Sequence, residues 1–330
     1  MAENNIQNEI NLSVVVPVYN VGEFLARCLD SLISTEGISE NEIIIVDDGS
    51  FDGSSEIADL YAGRYGFISC YHKENGGLSD ARNYGLSRAK GKYVFFCDSD
   101  DMVIPEGLIR VIEAAPESDA DVILWDGISI DENDEITSSG LDVILTHSGL
   151  QPNVVMTGKE AMTNQITDHN MAAMTAWLRA CRREFLLQNN LFFEKGRFHE
   201  DELWTPMVFL SAEKVIYFKE KVYCYRIRKD SIMSASFKST EKHAEDFVFI
   251  LNTVYDKYLE NIKDTNQLKA VLGSWADTYL WAIYAYKIHK YECSKNIPKK
   301  KIFSSAGRFK AKIKSLILLL FGAKAYCRLI

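Results

Sequence analysis

Two apolar runs in this 330-residue chain end abruptly in carboxylates: IIIVDDGS at 43–50 and VFFCDSDD at 94–101. Uninterrupted Ile, Val and Phe of this kind read as buried parallel strands. Open α/β sheets gather their ligands at the C-terminal ends of such strands. Asp47, Asp48, Asp98, Asp100 and Asp101 then face one crevice, where their mutual repulsion calls for a cation or a polar ligand. The pairing points to a divalent metal and a sugar- or nucleotide-bearing substrate.

The surrounding pattern supports a sheet of this type. LSVVVPV (12–18), EIIIV (42–46), FISCY (67–71), KYVFFC (92–97) and ADVILW (120–125) read as strands. Between them, helical spacing runs through 24, 25, 28, 29, 32 and 33, then from Asp52–Ser54 through Ile57 and Leu60, then from a Ser79 cap to about Gly91. Strand and helix alternating every dozen residues predicts an α/β fold with a mainly parallel sheet flanked by helices.

After Gly127 the regularity breaks. Residues 128–156 read as an insertion, and Thr157 with Glu160 forms a capping box opening a helix. Residues 175–193 read as a strand and a short helix, 196–210 as a loop entering a helix, and 215–218 with 222–228 as a β-pair. Helical periodicity fills 241–291, where Trp275, Tyr279, Trp281, Tyr284 and Tyr286 form an aromatic stripe best read as a packing surface. The division that follows is a larger α/β domain at 1–235, a helical extension at 236–295 and a tail at 296–330.

Seven scattered cysteines, with no CxxC pair, argue against a disulfide framework or a zinc site and for a reducing compartment. The polar start MAENNIQNEIN predicts no signal peptide, and no apolar run is long enough to span a membrane. The net charge of −9 divides unevenly. Residues 293–330 hold ten basic and no acidic residues, leaving 27 basic and 46 acidic elsewhere, so the body carries −19. Such a body excludes a general nucleic-acid binder.

The chemistry concentrates at three strand ends: Pro17-Val18-Tyr19-Asn20, Asp47-Asp48-Gly49-Ser50 and Asp98-Ser99-Asp100-Asp101. Carboxylates there suit Mg²⁺ or Mn²⁺ shared with phosphate oxygens. ENGGLSDARNYG (74–85) adds Gly76 and Gly77, which let backbone approach a ligand, and Arg82, a candidate phosphate or base contact. It matches neither a dinucleotide fingerprint nor a P-loop. FHEDE (198–202) supplies Glu200 and Asp201, one of which can serve as a general base.

VVVPVYN, IVDDGSFDGS, ENGGLSDARNYG, CDSDD and HED, in this order, resemble the family 2 glycosyltransferases of the GT-A fold across roughly residues 12–230. The resemblance implies an inverting, bacterial, non-processive transferase that uses a nucleotide-diphosphate sugar, most often a UDP-sugar, with Mn²⁺ or Mg²⁺. It also implies a saccharide or lipid-linked acceptor and a role in cell-surface polysaccharide synthesis. Pro17, Val18, Tyr19, Asn20, Asp47, Asp48, Gly77 and Arg82 would line the nucleotide site, with Asp48 on the uracil. Asp98 and Ser99 would lie near the ribose and donor sugar, Asp100 and Asp101 at the metal. Asp201 would be the base with Glu200 beside it. DxDD allows two registers of the metal motif. Arg226, Arg228 or Lys229 of YRIRKDSIMS would reach the diphosphate. The alternative is a non-catalytic subunit that binds nucleotide-sugar or membrane within a synthesis complex.

In the tail, apolar residues at 302, 306, 309, 313, 316, 317 and 320 alternate with Arg308, Lys310, Lys312 and Lys314. A basic amphipathic helix of this kind suits an anionic membrane surface. The expectation is a cytoplasmic protein held peripherally on the inner face of the plasma membrane, the competing one a tail packed on its own acidic body.

Overall fold

A computed structural model of the protein describes residues 10–138, 144–228 and 240–329. One eight-stranded sheet forms the frame, in the order β3-β2-β1-β4-β7-β6-β8-β5. Strands β1 (Leu12–Val18), β2 (Glu42–Asp47), β3 (Ile68–His72) and β4 (Tyr93–Phe96) are mutually parallel neighbours, as the apolar runs predict. Helices α1 (Phe24–Ile33), α2 (Ser54–Arg64) and α3 (Leu78–Leu86) make the crossovers. The strand period of two sorts β1 between two cores. Val14, Val16 and Val18 pack with α1, whereas Val15 packs with Ala81 and Leu86 of α3.

Beyond β4 antiparallel pairings enter, and the sheet stays mainly parallel, with four of its seven pairings so. After β5 (Met102–Val103) and α4 (Pro105–Ser118), β6 (Val122–Ile130) does not join β4. The four-residue β7 (Arg179–Arg182) sits between them, antiparallel to both. The expected β-pair at 215–228 is a single strand, β8 (Val215–Arg226), parallel to β6. Its exposed centre carries the register shift that opposes Leu124 to Tyr217 but Asp126 to Lys221. This irregularity bends the strand and aims its end back over the carboxylates of β4.

The Thr157–Glu160 capping box forms and opens α5 (Gly158–His169). The third crossover helix starts earlier than expected: Gly77, at φ +84°, precedes Leu78, so Ser79 lies inside the first turn. Helices α6 (Arg183–Gln188) and α7 (Asp201–Ser211) follow β7. Then α8 (Glu241–Asn261) and α9 (Thr265–Ala285) cover the second face, and their apolar residues run without a break into the sheet's own core. Trp275, Tyr279 and Tyr286 of the aromatic stripe are buried there, while Trp281 and Tyr284 stay exposed.

The tail is two helices, α10 (Lys299–Ser305) and α11 (Phe309–Leu329), the latter kinked at Gly322. Both lie against α9. Arg308 pairs with Asp277, Lys301 with Asp256, and the Tyr326 hydroxyl donates to the Leu280 carbonyl. Ala311, Ser315, Leu318, Ala323 and Tyr326 point inward. Phe309, Leu320 and Phe321 do not, at 81%, 63% and 66% exposure. Among the described residues no helix is long and apolar enough to cross a membrane.

Candidate active site

The C-terminal ends of β1, β2 and β4, the start of α7 and the end of β8 bring the predicted residues to one side of the sheet. Pro17 and Val18 are strand residues; Pro17 lies opposite Val46, and Val18 accepts the Asp48 N–H through its carbonyl at 2.8 Å. Asn20, at φ +51°, accepts the Phe51 N–H at 2.9 Å. Tyr19 is the member of this quartet whose side chain stands free, edge-on to Phe51 with centroids 6.3 Å apart. Phe51, the most exposed aromatic ring at this edge, is absent from the predicted set; its only signal in the sequence is its place inside DDGSFDGS.

The two adjacent aspartates of β2 do different work. Asp47 turns inward and accepts from the Ser50 N–H at 3.0 Å, the Ser55 hydroxyl at 2.7 Å and His72 Nδ1 at 2.8 Å. Burial pushes its pKa up, but these hydrogen bonds outweigh burial and leave it below the ordinary carboxylate value. Asp48 holds the glycine loop. It accepts the Gly76 and Gly77 N–H groups at 2.9 and 2.7 Å and pairs with Lys73. The left-handed Gly77 backbone makes this grip feasible, because a Cβ there would be strained.

Arg82 departs from expectation. It is 2% exposed, stacks over the Phe193 ring at 5.1 Å, and spends its guanidinium on Asp98 at 2.7 Å and Glu200 at 2.6 Å. It is therefore an internal strut between the strand-end motif and the FHEDE segment rather than a side chain reaching out to phosphate. Burial alone would depress its pKa; the two carboxylates overcome that and raise it. Glu200 is correspondingly committed, leaving Asp201 as the carboxylate with fewer partners. Among the described residues Asp201 accepts only from the Glu202 N–H, at 3.0 Å. Burial first, then repulsion from Glu200 and Glu202, holds its pKa well above the ordinary range, with Arg82 opposing.

The DxDD segment separates likewise. Asp101, expected beside Asp100 at the metal, is 3% exposed and has both oxygens engaged, by the Tyr223 hydroxyl at 2.7 Å and the Arg226 N–H at 2.7 Å. Burial, then repulsion from Asp100 and Asp98, raises its pKa strongly. Tyr223, whose ring stacks on Trp177 at 4.3 Å, also accepts the Asp98 N–H at 3.2 Å. Asp100 pairs with Arg228, and burial with repulsion from Asp98 raises its pKa although Arg228 opposes the shift. Arg226 does not face this crevice freely: it donates to the carbonyls of Asp100 and Asp131 at 2.8 and 3.0 Å and pairs with Asp134. Ser99 is buried between the two aspartates. Lys229 lies outside the described residues. Oxygen donors held at a strand end, with more negative charge than the neighbouring arginines offset, fit a hard divalent cation.

The FHEDE segment is anchored from behind. Asp246 of α8, fully buried, accepts from Arg197 at 2.8 Å and from the Phe198 N–H at 3.0 Å. His199, at φ +61°, meets His243 Nδ1 through Nε2 at 3.0 Å. Burial, then repulsion from His243, lowers the His199 pKa to about 4, so this pair is a neutral hydrogen bond.

A glycosyltransferase of the GT-A fold is what this sheet and its acidic strand ends define, and comparison with known proteins agrees. The Glycosyl transferase family 2 model matches residues 13–188, and the chain belongs to that family. It is 33% identical over 233 residues to the glycosyltransferase GlyG of Streptococcus pneumoniae serotype 4, covering 68% of this chain and 74% of that protein. Its fold is similar to S. aureus TarS 1-349 in complex with UDP-GlcNAc, with a TM-score of 0.73 at 19% identity over 96% of this chain and 90% of that one. The Pyrobaculum calidifontis mannosyltransferase PcManGT in complex with GDP-Man and Mn²⁺ gives 0.58 at 16% identity, covering 97% and 84%. The protein is a family 2 glycosyltransferase.

Proposed function

We propose that this enzyme transfers a sugar from a nucleoside diphosphate donor, a UDP-sugar foremost, to a hydroxyl of a saccharide or lipid-linked acceptor, with inversion. One observation carries the reading: Arg82 ties Asp98 of the strand-end motif to Glu200, so Asp201 opens its helix beside the donor side of the sheet. Asp201 takes the proton of the acceptor hydroxyl as that oxygen attacks the anomeric carbon from the face opposite the nucleotide. Its raised pKa suits the role, because a base poised nearer neutrality accepts a proton more effectively.

The glycine loop that Asp48 holds, with the Tyr19–Phe51 pair, receives the base. Asp98 and Ser99 face the ribose and donor sugar. Mn²⁺ or Mg²⁺ would be held by Asp100 with Asp98, since the engaged oxygens of Asp101 favour the Asp98-x-Asp100 register. A divalent ion bound there offsets the charge that develops on the departing diphosphate. Arg228, already at Asp100, is positioned to follow the diphosphate.

The test is nucleotide release by the purified protein from UDP-, GDP- and dTDP-sugars with Mn²⁺, with and without EDTA. EDTA-sensitive release from one donor is expected. Asp201→Asn should lower turnover by at least ~10²-fold while keeping UDP binding. A variant with full rate refutes the assignment of the base.

We also propose a cytoplasmic protein held on the inner leaflet in cell-surface polysaccharide synthesis. The bare side of α11, with Phe309, Ile313, Leu316, Leu320 and Phe321 exposed beside Lys310 and Lys324, supports it. Each lysine near an anionic surface contributes about 1 kcal/mol. Sedimentation with phosphatidylglycerol vesicles, lost at high salt and in Phe309→Glu/Leu320→Glu, is the expected result; equal recovery with neutral vesicles refutes it.

A further inference from the structure

Asp59 and Cys70 lie outside the site described above, and His72 enters it only through its Nδ1 contact with Asp47. Cys70 and His72 are two apart on the edge strand β3, so both point to the same face. Asp59 of α2 closes over that face. Cys70 Sγ is 3.6 Å from His72 Nε2, His72 Nε2 is 3.0 Å from Asp59 Oδ1, and the three donor atoms all lie within 4.8 Å of one another.

We infer that Asp59, Cys70 and His72 form a binding site for a borderline-soft divalent metal, zinc foremost, separate from the strand-end carboxylates. Bonds of roughly 2.0–2.3 Å at tetrahedral angles separate donor atoms by roughly 3.3–3.6 Å. The observed spacing needs only small side-chain adjustment to reach that geometry. The imidazole is already oriented. Nδ1 faces Asp47 Oδ2 at 2.8 Å, which leaves Nε2 toward the metal. A carboxylate behind a ligating histidine fixes ring orientation and raises ligand basicity. Asp47 is itself fixed by Ser50 and Ser55, so the outer support is in place.

The donor set also decides which ion enters. Thiolate and imidazole favour zinc, whereas Asp98 and Asp100 offer only hard oxygen suited to Mg²⁺ or Mn²⁺. Asp59 and His72 are exposed, so the ion has a path in, and three protein donors leave a fourth position to water. The lack of a CxxC pair argues against zinc only where cysteines supply the donors in pairs. Here a strand places donors at i and i+2 instead, and the third comes from the helix before it. Occupancy would bear on Asp47 and hence on the loop carrying Asp48, which links this surface site to the base-binding end of the crevice.

The competing account is an imidazolium bridging Asp47 and Asp59, which has no need of Cys70. Titration of the reduced, chelator-stripped full chain with Co²⁺ in millimolar Mg²⁺ distinguishes the two. One equivalent should produce a thiolate-to-cobalt charge-transfer band that one equivalent of Zn²⁺ abolishes. Cys70→Ser should lose the band, and Cys70→Ser and Asp59→Asn should each weaken zinc binding at least ~10-fold, the lower bound for losing even an outer-shell partner. Asp100→Asn should leave the titration unchanged. No band in the unmodified protein, a band persisting in Cys70→Ser, or zinc binding that depends on Asp100 would each overturn the proposal.

Discussion

Removing the Arg82 guanidinium separates two roles for this residue. A side chain that reached out to the donor would, on truncation, weaken donor binding and leave the fold intact. The observed Arg82 is almost wholly buried and bonded to Asp98 and Glu200. In Arg82→Leu both carboxylates, with Asp201 nearby, lose their internal cation. Breaking a buried pair by removing one partner costs about 3–5 kcal/mol, because the remaining charge stays buried and uncompensated. In a chain of this size that lowers Tm by roughly 10 °C. Arg82→Lys keeps a charge but not the fork, so it should fall between. The double variant Arg82→Leu/Glu200→Gln removes one stranded charge and should regain part of the loss, a non-additivity expected of residues in contact. Calorimetry of the four proteins, with UDP–Mn²⁺ titration of each, is the assay. A wild-type Tm in Arg82→Leu with only weakened UDP binding would refute the strut and restore the phosphate contact.

Two further outcomes follow from the same geometry. The folded-state pKa of Asp201 is raised, so its protonated form contributes stability that is present below the unfolded carboxylate pKa and lost as pH rises through the folded value. Asp201→Asn should therefore be inactive yet raise Tm above pH 7, with the gain vanishing toward pH 4; kcat/KM of the unmodified enzyme should fall on acidification above the ordinary carboxylate range. Asp246→Asn deprives Arg197 of its partner and should cost about 1–3 kcal/mol, and it should lower kcat more than it raises donor KM, since α8 anchors the approach to Asp201 and not the nucleotide.

The strand-end carboxylates were legible because buried parallel strands advertise themselves as apolar runs, and a cluster of Asp closing such a run is costly unless a cation or polar ligand meets it. What escaped was structure whose sequence signal is weak or split. A strand within 175–193 is expected but not its place: RACR shows no apolar run, yet β7 lies inside the sheet between β4 and β6, with Arg179 fully buried and donating to the Ala173 and Thr175 carbonyls. The exposed bulge of β8 mimics a turn between two strands. In α11 several of the most hydrophobic residues are not buried. Small Ala311 and Ser315 are buried beside Leu318 and Tyr326, while Phe309, Leu320 and Phe321 face outward. A ranking by hydropathy picks the outward face, and only the packing shows that the helix has two apolar sides with one already covered.

The site is best understood as a charge arrangement kept short of cations. Asp98, Asp100, Asp101, Glu200 and Asp201 converge where β1, β2 and β4 end, and the raised pKa values of Asp100, Asp101 and Asp201 record the cost of burying them together. Two arginines answer them unequally. Arg82 is enclosed and bonded on both sides, a permanent part of the fold. Arg228 is more open and, among the described residues, pairs with Asp100. The proposed reaction, in which a diphosphate enters with its cation and then leaves, calls for one counter-charge that stays and another that yields. Permanent neutralisation of Asp100 would stabilise the resting protein at the expense of the ion proposed to bind there. The incomplete compensation is thus the property that suits this end of the sheet to the proposed ligands.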